Sequence, residues 1–149
     1  MSARDDAVAA ELIELFQRVG RRMRDDFVTA SADLGLNISQ ALIVNGLDDP
    51  VPMRVLAEWL SCEPSNVTGI VDGLEGLGLV VRRQDPADRR VKQVVLTPEG
   101  EKRRTLLRER VLARADEFFA LPAAARVDLR DLLRGLTSAT PGPANSQTC

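Results

Sequence analysis

From Val8 to about Ala30 the apolar residues Val8, Leu12, Leu15, Phe16, Val19, Met23 and Phe27 recur at steps of three and four. That is the spacing of one face of an α-helix. The run of roughly six turns is longer than a small domain needs for its own core. Ser39 is placed to cap a second helix carrying Leu42, Ile43 and Leu47, closed by Gly46, Asp48, Asp49 and Pro50. Pro52 suits a first helical position and opens a short helix with Val55, Leu56, Trp59 and Leu60. After the break Ser61-Cys62-Glu63, Pro64 starts a fourth helix with the stripe Val67, Ile70, Val71, Leu74 and Leu77, ended by Gly78 as a left-handed cap. Its other face is small and polar: Ser65, Asn66, Thr68, Gly69, Asp72 and Gly73. Two helices joined by a short turn, the second exposing short hydrogen-bonding side chains, make the helix-turn-helix pattern.

The period then changes. Leu79-Val-Val-Arg-Arg83 and Val91-Lys-Gln-Val-Val-Leu96 are β-branched runs separated by Gln84-Asp-Pro-Ala-Asp-Arg-Arg90, which predicts a hairpin with a charged tip. Thr97-Pro98 caps and starts another helix, with Leu107, Val111, Ala115 and Phe118 along one stripe. Pro122 starts a last one with Leu129, Leu132, Leu133 and Leu136, and the segment from Pro141 to Cys149 has no periodicity and reads as a loose tail.

The expected fold is mainly α with a small β-wing: a winged helix-turn-helix domain flanked by N- and C-terminal dimerisation helices. Its parts are an N-terminal dimerisation helix (1–35), the DNA-binding domain (36–98) and C-terminal dimerisation helices (99–139), followed by a disordered tail (140–149). Within the DNA-binding domain the recognition helix covers about 64–77 and the wing about 79–97. Long apolar stripes at both ends of the chain are most simply covered by each other and by the same helices of a second copy, so a homodimer is expected.

Composition narrows the function. The chain has 149 residues, 44% hydrophobic and 28% charged, which fits one globular domain able to fold without staples. No apolar run approaches the roughly 20 residues that span a bilayer, and Met1–Ala10 contains Asp5 and Asp6 but no apolar core of a signal peptide. A cytoplasmic protein with no membrane partner is therefore expected. There is no His and no Tyr, which removes Ser-His-Asp and Cys-His catalytic groups and any imidazole metal ligand. Two cysteines, Cys62 and Cys149, cannot complete a four-thiolate zinc site. Cys62, in the turn before the recognition helix, has no base to activate it as a nucleophile. No enzyme, cofactor or metal site is expected.

The net charge of −2 divides unevenly. Residues 32–78 carry Arg54 against seven acids, whereas residues 79–104 carry eight Lys and Arg against Asp85, Asp88, Glu99 and Glu101. The cationic stretch coincides with the hairpin. A helix in the major groove with a hairpin reaching the neighbouring minor groove has an obvious use for an Arg at the tip, because that groove is narrow and strongly negative. Arg89 and Arg90 are the candidates, with Asp88 placed to hold a guanidinium by a charge-assisted bond. Arg82, Arg83 and Lys92 are candidates for the backbone phosphates. Double-stranded DNA is the expected partner.

At this point the sequence resembles a known family, the MarR-type winged-helix transcriptional regulators. The matching pieces are Leu56-Ala-Glu58, Pro64-Ser-Asn-Val-Thr-Gly-Ile-Val-Asp72, Leu74-Glu75, Gly78-Leu-Val80, Arg83, Asp85-Pro-Ala-Asp-Arg-Arg90 and Leu96-Thr-Pro-Glu-Gly100. The resemblance covers roughly Val8 to Leu136 and is most specific over Leu56–Gly100. It implies a cytoplasmic homodimer that binds a palindromic operator, usually as a repressor, and is released by a small lipophilic or aromatic ligand. Carried over by position, Ser65, Asn66 and Thr68 resemble the recognition-helix contacts and Asp88 and Arg90 the wing-tip pair.

One departure stands out: members usually carry an Arg between the Asp and Leu of the recognition helix, where this chain has Gly73. From Val55 to Val81 there is no Lys or Arg, so weak or strongly salt-dependent DNA binding is expected. An alternative function is a winged-helix module with weakened DNA binding that serves as a small-molecule or protein interaction domain. For the ligand side, Phe16, Met23, Phe27 and Trp59 are candidate cleft residues, although their helical spacing also suits plain core packing.

Overall fold

The computed structural model describes residues 3–138; the predicted tail at 140–149 lies outside the described residues. Among the described residues six helices and three strands follow one another: α1 (Ala3–Ala32), α2 (Ile38–Gly46), β1 (Val51–Pro52), α3 (Met53–Leu60), α4 (Pro64–Gly76), β2 (Val80–Gln84), β3 (Lys92–Leu96), α5 (Pro98–Phe118) and α6 (Ala123–Ser138). The fold is mainly helical with a small antiparallel sheet in the order β1-β3-β2, as expected.

Among the described residues the core is confined to the middle of the chain. Ala30, Leu36, Ile43, Val44, Leu56, Leu60, Val67, Val71, Leu74, Leu79, Val94 and Leu107 are all buried in one cluster. By contrast, no residue from 5 to 29 and none of α6 is buried. Val8, Leu12, Ile13 and Phe16 on α1, Leu112 on α5, and Leu132 and Leu136 on α6 are exposed.

Three local expectations are corrected. Ser39 does not cap α2; Asn37 does, its side chain accepting from the Gln40 N–H at 2.9 Å while the Gln40 side chain accepts from the Asn37 N–H at 3.1 Å. This reciprocal pair satisfies two amides that the helix start would leave unpaired, and Ser39 is carried into the buried first turn. Pro52 is not the first helical residue but the cap of α3 and the end of β1, with Val51 paired to Val94 and Pro52 to Gln93. Proline, lacking an N–H, is tolerated there because β1 is an edge strand. Leu77 leaves the α4 stripe and is exposed, because the helix ends at Gly76 and the chain turns through Gly78 at φ +72°.

Candidate nucleic-acid interface

The turn between α3 and α4 is tight. Ser61 sits in the left-handed region at φ 50°, its N–H donating to Glu58 O at 3.2 Å, and the Cys62 N–H donates to Ala57 O at 3.0 Å. The half-buried Cys62 packs against the core. Pro64 at the first position of α4 supplies a preset φ where no N–H is needed. Val67, Val71 and Leu74 anchor one face in the core, which leaves Ser65, Asn66, Thr68 and Gly69 exposed on the other. Ser65 and Asn66 border a shallow hollow of about 490 Å³ with Asn37, Ser39 and Gln40. The Thr68 hydroxyl donates back to Pro64 O at 3.0 Å, so its remaining capacity is as an acceptor.

The hairpin between β2 and β3 pairs Val80 with Leu96 through to Gln84 with Lys92. Its tip is held by two carboxylates. Asp85 accepts from the Ala87 N–H at 2.7 Å and from Gln93 Nε2 at 2.8 Å. Asp88 Oδ1 accepts from the Arg90 N–H at 3.0 Å and from Arg90 Nε at 3.2 Å. The backbone N–H and then the guanidinium of Arg90 hold the Asp88 carboxyl below its ordinary value of 3.8. Arg90 itself is 92% exposed. Its guanidinium is thus oriented by a neighbour while staying open to solvent, and Arg89 beside it is exposed as well.

Strand alternation separates the other three cations. Arg82 and Lys92 share one face of the hairpin with the buried Val80 and Val94; Arg83 is on the opposite face with Val81 and Val95. Lys92 and Arg82 border a cleft of about 540 Å³ with Arg54, Thr68 and Asp72. Arg82 does not lie open along the wing as a phosphate contact would. Its side chain is 19% exposed, ion-paired with Asp72 at 2.7 Å and, at very short range, with Glu75. Among the described residues no ion pair engages Arg83, Arg89 or Lys92, and all three are exposed.

The cationic stretch of the sequence is therefore not one surface. Arg103 donates to Leu34 O at 2.5 Å, and Arg104 donates to Leu47 O and Asp48 Oδ1, both at 2.8 Å. Arg108, further along α5, donates to Asn45 O at 2.7 Å and Asp48 Oδ1 at 3.0 Å. Arg104 and Arg108 cap the last carbonyls of α2, where a helix presents unpaired acceptors and partial negative charge, while Arg103 ties α5 to the loop between α1 and α2. Sequence reasoning missed this staple, because its partners are remote in the chain.

The four candidate cleft residues are not brought together. Phe16 and Met23 line an apolar groove of about 530 Å³ between α1 and the α5–α6 turn, with Leu12, Phe118, Phe119 and Leu129. Phe27 and Trp59 instead pack on the core. The Trp59 ring lies so close to Gly46 that a β-carbon there would stand 3.0 Å from Cζ3.

Residues 36–92 match the sequence model of the MarR family. Over 94 residues the chain is 29% identical to the HTH-type transcriptional regulator YkoM of Bacillus subtilis, covering 62% of this chain and 61% of that one. It spans between 56% and 61% of the curated relatives it matches. The structure of CouR from Rhodococcus jostii RHA1 bound to p-coumaroyl-CoA is similar, with a TM-score of 0.67 and 33% identity over 86% of this chain and 91% of that one. A MarR-family transcriptional regulator from Rhodococcus sp. RHA1 has a TM-score of 0.68 and 30% identity over 94% of this chain and 98% of its own. The chain belongs to the MarR family. The matched region contains α2 through β2 and the wing tip, which carry the exposed polar side chains of α4 and the cations of the wing.

Proposed function

We propose that this MarR-family chain acts as a homodimer that binds double-stranded DNA at a palindromic operator, as a repressor released by a small lipophilic or aromatic ligand. The observation that carries the reading is Arg90: a fully presented guanidinium at the wing tip, oriented by Asp88, with Arg89 beside it. Such a group fits the negative potential of a narrow minor groove. Ser65, Asn66 and Thr68 supply short polar contacts to base edges or phosphates from α4, and Arg83 and Lys92 supply phosphate contacts from the two faces of the wing.

The dimer reading is supported by the exposed apolar faces of α1, α5 and α6, since a monomer would leave a large hydrophobic surface in water. The ligand reading rests on the groove beside Phe16 and Met23 and on the p-coumaroyl-CoA held by CouR. The relatives are regulators, which supports a binding role over a catalytic one. A cytoplasmic location accords with a role on DNA; among the described residues no helix is long and apolar enough to cross a membrane.

The test is fluorescence anisotropy with the DNA upstream of the chain's own gene, comparing the unsubstituted protein with Arg90→Ala. Binding that Arg90→Ala abolishes or severely weakens supports the reading. No binding by the unsubstituted protein at low salt would favour the alternative, an interaction module that has lost operator binding, which the acidic and cation-free α4 motivates.

A further inference from the structure

Glu75 and Arg82 make an unusual double contact. β2 is an edge strand, so the outward N–H groups of its backbone have no ladder partner. The outward N–H of Arg82 is taken up by Glu75 Oε1 at 3.0 Å, and the other oxygen of the same carboxylate accepts from the Arg82 guanidinium. The guanidinium extends further to Asp72 Oδ1 at 2.7 Å and donates to Thr68 O at 3.3 Å. One side chain from the first strand of the wing thus touches three residues over nearly two turns of α4. Thr68 is itself a candidate DNA contact.

The charge pattern gives this arrangement a second consequence. Asp72 and Glu75 are the only ionised side chains of α4, and both are acidic. Facing a phosphate backbone they would repel it. Arg82 lies on both and offsets one of the two charges. We propose that Arg82 is a positioning residue: through Glu75 and Asp72 it fixes the wing against the recognition helix, so that both dock on DNA as one rigid body, and it offsets one of that helix's two acidic charges. The proposal rests on the DNA-binding reading above and assigns Arg82 no phosphate of its own.

The guanidinium serves its acceptors from two separate nitrogens, Nη1 on Glu75 and Nη2 on Asp72 and Thr68 O; an ammonium, with its three donors on one nitrogen, cannot reproduce that spread. A phosphate contact has the opposite preference, since a lysine serves it well as a point charge. Salt separates the two roles further, because each lost phosphate contact lowers the log–log slope of affinity against salt by about 0.9.

The experiment measures affinity for the same upstream fragment between about 50 and 200 mM salt, with a thermal melt of each variant. Arg82→Ala is expected to weaken binding about tenfold or more, most strongly at low salt, where the exposed acids are least screened. Arg82→Lys is expected to weaken it too. Arg82→Ala combined with Asp72→Asn and Glu75→Gln should recover most of the loss that comes from exposed acidic charge. A slope still reduced by about 0.9 in the triple variant, where no acid is left to repel the phosphates, near-normal binding by Arg82→Lys, or no recovery in the triple variant would overturn the proposal. Should Arg82→Ala fail to fold, Arg82→Lys decides alone. Should the unsubstituted protein bind no DNA, the functional reading fails and the clamp is judged separately. Glu75→Gln should then speed hydrogen exchange at the Arg82 amide, and an unchanged rate would overturn it.

Discussion

A β-carbon on Gly100 would stand 2.0 Å from the carbonyl oxygen of Leu79. The first turn of α5 and the residue before β2 therefore meet backbone to backbone. The same oxygen accepts the Thr97 N–H at 3.0 Å, the Thr97 hydroxyl donates to Gly78 O at 2.6 Å, and that hydroxyl accepts from the Gly100 N–H at 3.0 Å. The Leu-Thr-Pro-Glu-Gly100 run is thus a joint: a helix cap that also ties the wing to α5. A methyl group cannot fit without moving one backbone off the other. Gly100→Ala should destabilise by about 3 kcal/mol or more, read as a lower urea midpoint. Gly69→Ala, in open space within a helix, should instead stabilise by up to about 1 kcal/mol. Equal stabilities for Gly100→Ala and the unsubstituted protein would contradict the joint.

The wing tip makes a prediction with two arms. Arg90→Ala should remove a direct contact and lower the salt slope of DNA binding by about 0.9. Asp88→Asn should weaken binding less and leave the slope alone, since it frees a guanidinium without removing it. The pH dependence follows from the lowered carboxyl of Asp88. A depressed folded value means the Asp88–Arg90 contacts are fully present above 3.8 and are lost only as pH falls through the lower folded value. The Arg90 amide resonance of the free protein should stay constant from neutral pH to below the ordinary carboxylate range. A midpoint at or above 3.8 would show that Arg90 does not hold Asp88.

Much of this was legible in the sequence, and what was missed has a common cause. The hairpin announced itself because β-branched residues follow a helix whose period is plain, and the wing carboxylate Asp88 lies two residues from its arginine. Asn37 was misread in favour of Ser39, although Gln40 three residues after Asn37 is the capping-box signal and Ser39 has Leu42 in that place. β1 is only two residues long, too short to leave a period. The charge count failed most instructively. Arg82, Arg103 and Arg104 were summed with the wing, yet their partners are Glu75, Leu34 O and Leu47 O. Which cations remain for DNA is decided by long-range contacts that no local pattern reports.

The dimer reading predicts what one charge does to α6. Leu132 is 69% exposed and Leu136 61%, with nothing of α6 buried. Leu132→Glu should leave the secondary structure and the core intact, because the core lies between Ala30 and Leu107, while shifting sedimentation from dimer to monomer. DNA affinity should fall with it, since two half-sites are then no longer bound together. A variant that still sediments as the unsubstituted dimer would show that α6 lies outside the interface.

Gly73 offers the sharpest test of how much α4 gives up on DNA. A β-carbon there would lie 2.9 Å from Gln40 Nε2, the side chain whose oxygen caps α2 from the other side. Gly73→Arg therefore has two opposing effects on stability. Replacing a helical glycine contributes about 1 kcal/mol, and displacing Gln40 from the capping box costs about 1 kcal/mol, so the melting temperature should change little. The effect on DNA should be large by comparison: a cation enters a helix that has none, and the salt slope should rise by about 0.9 with tighter binding at low salt. If affinity and slope both stay unchanged while the protein remains folded, the Gly73 position does not face the phosphates, and the orientation assigned to α4 is wrong.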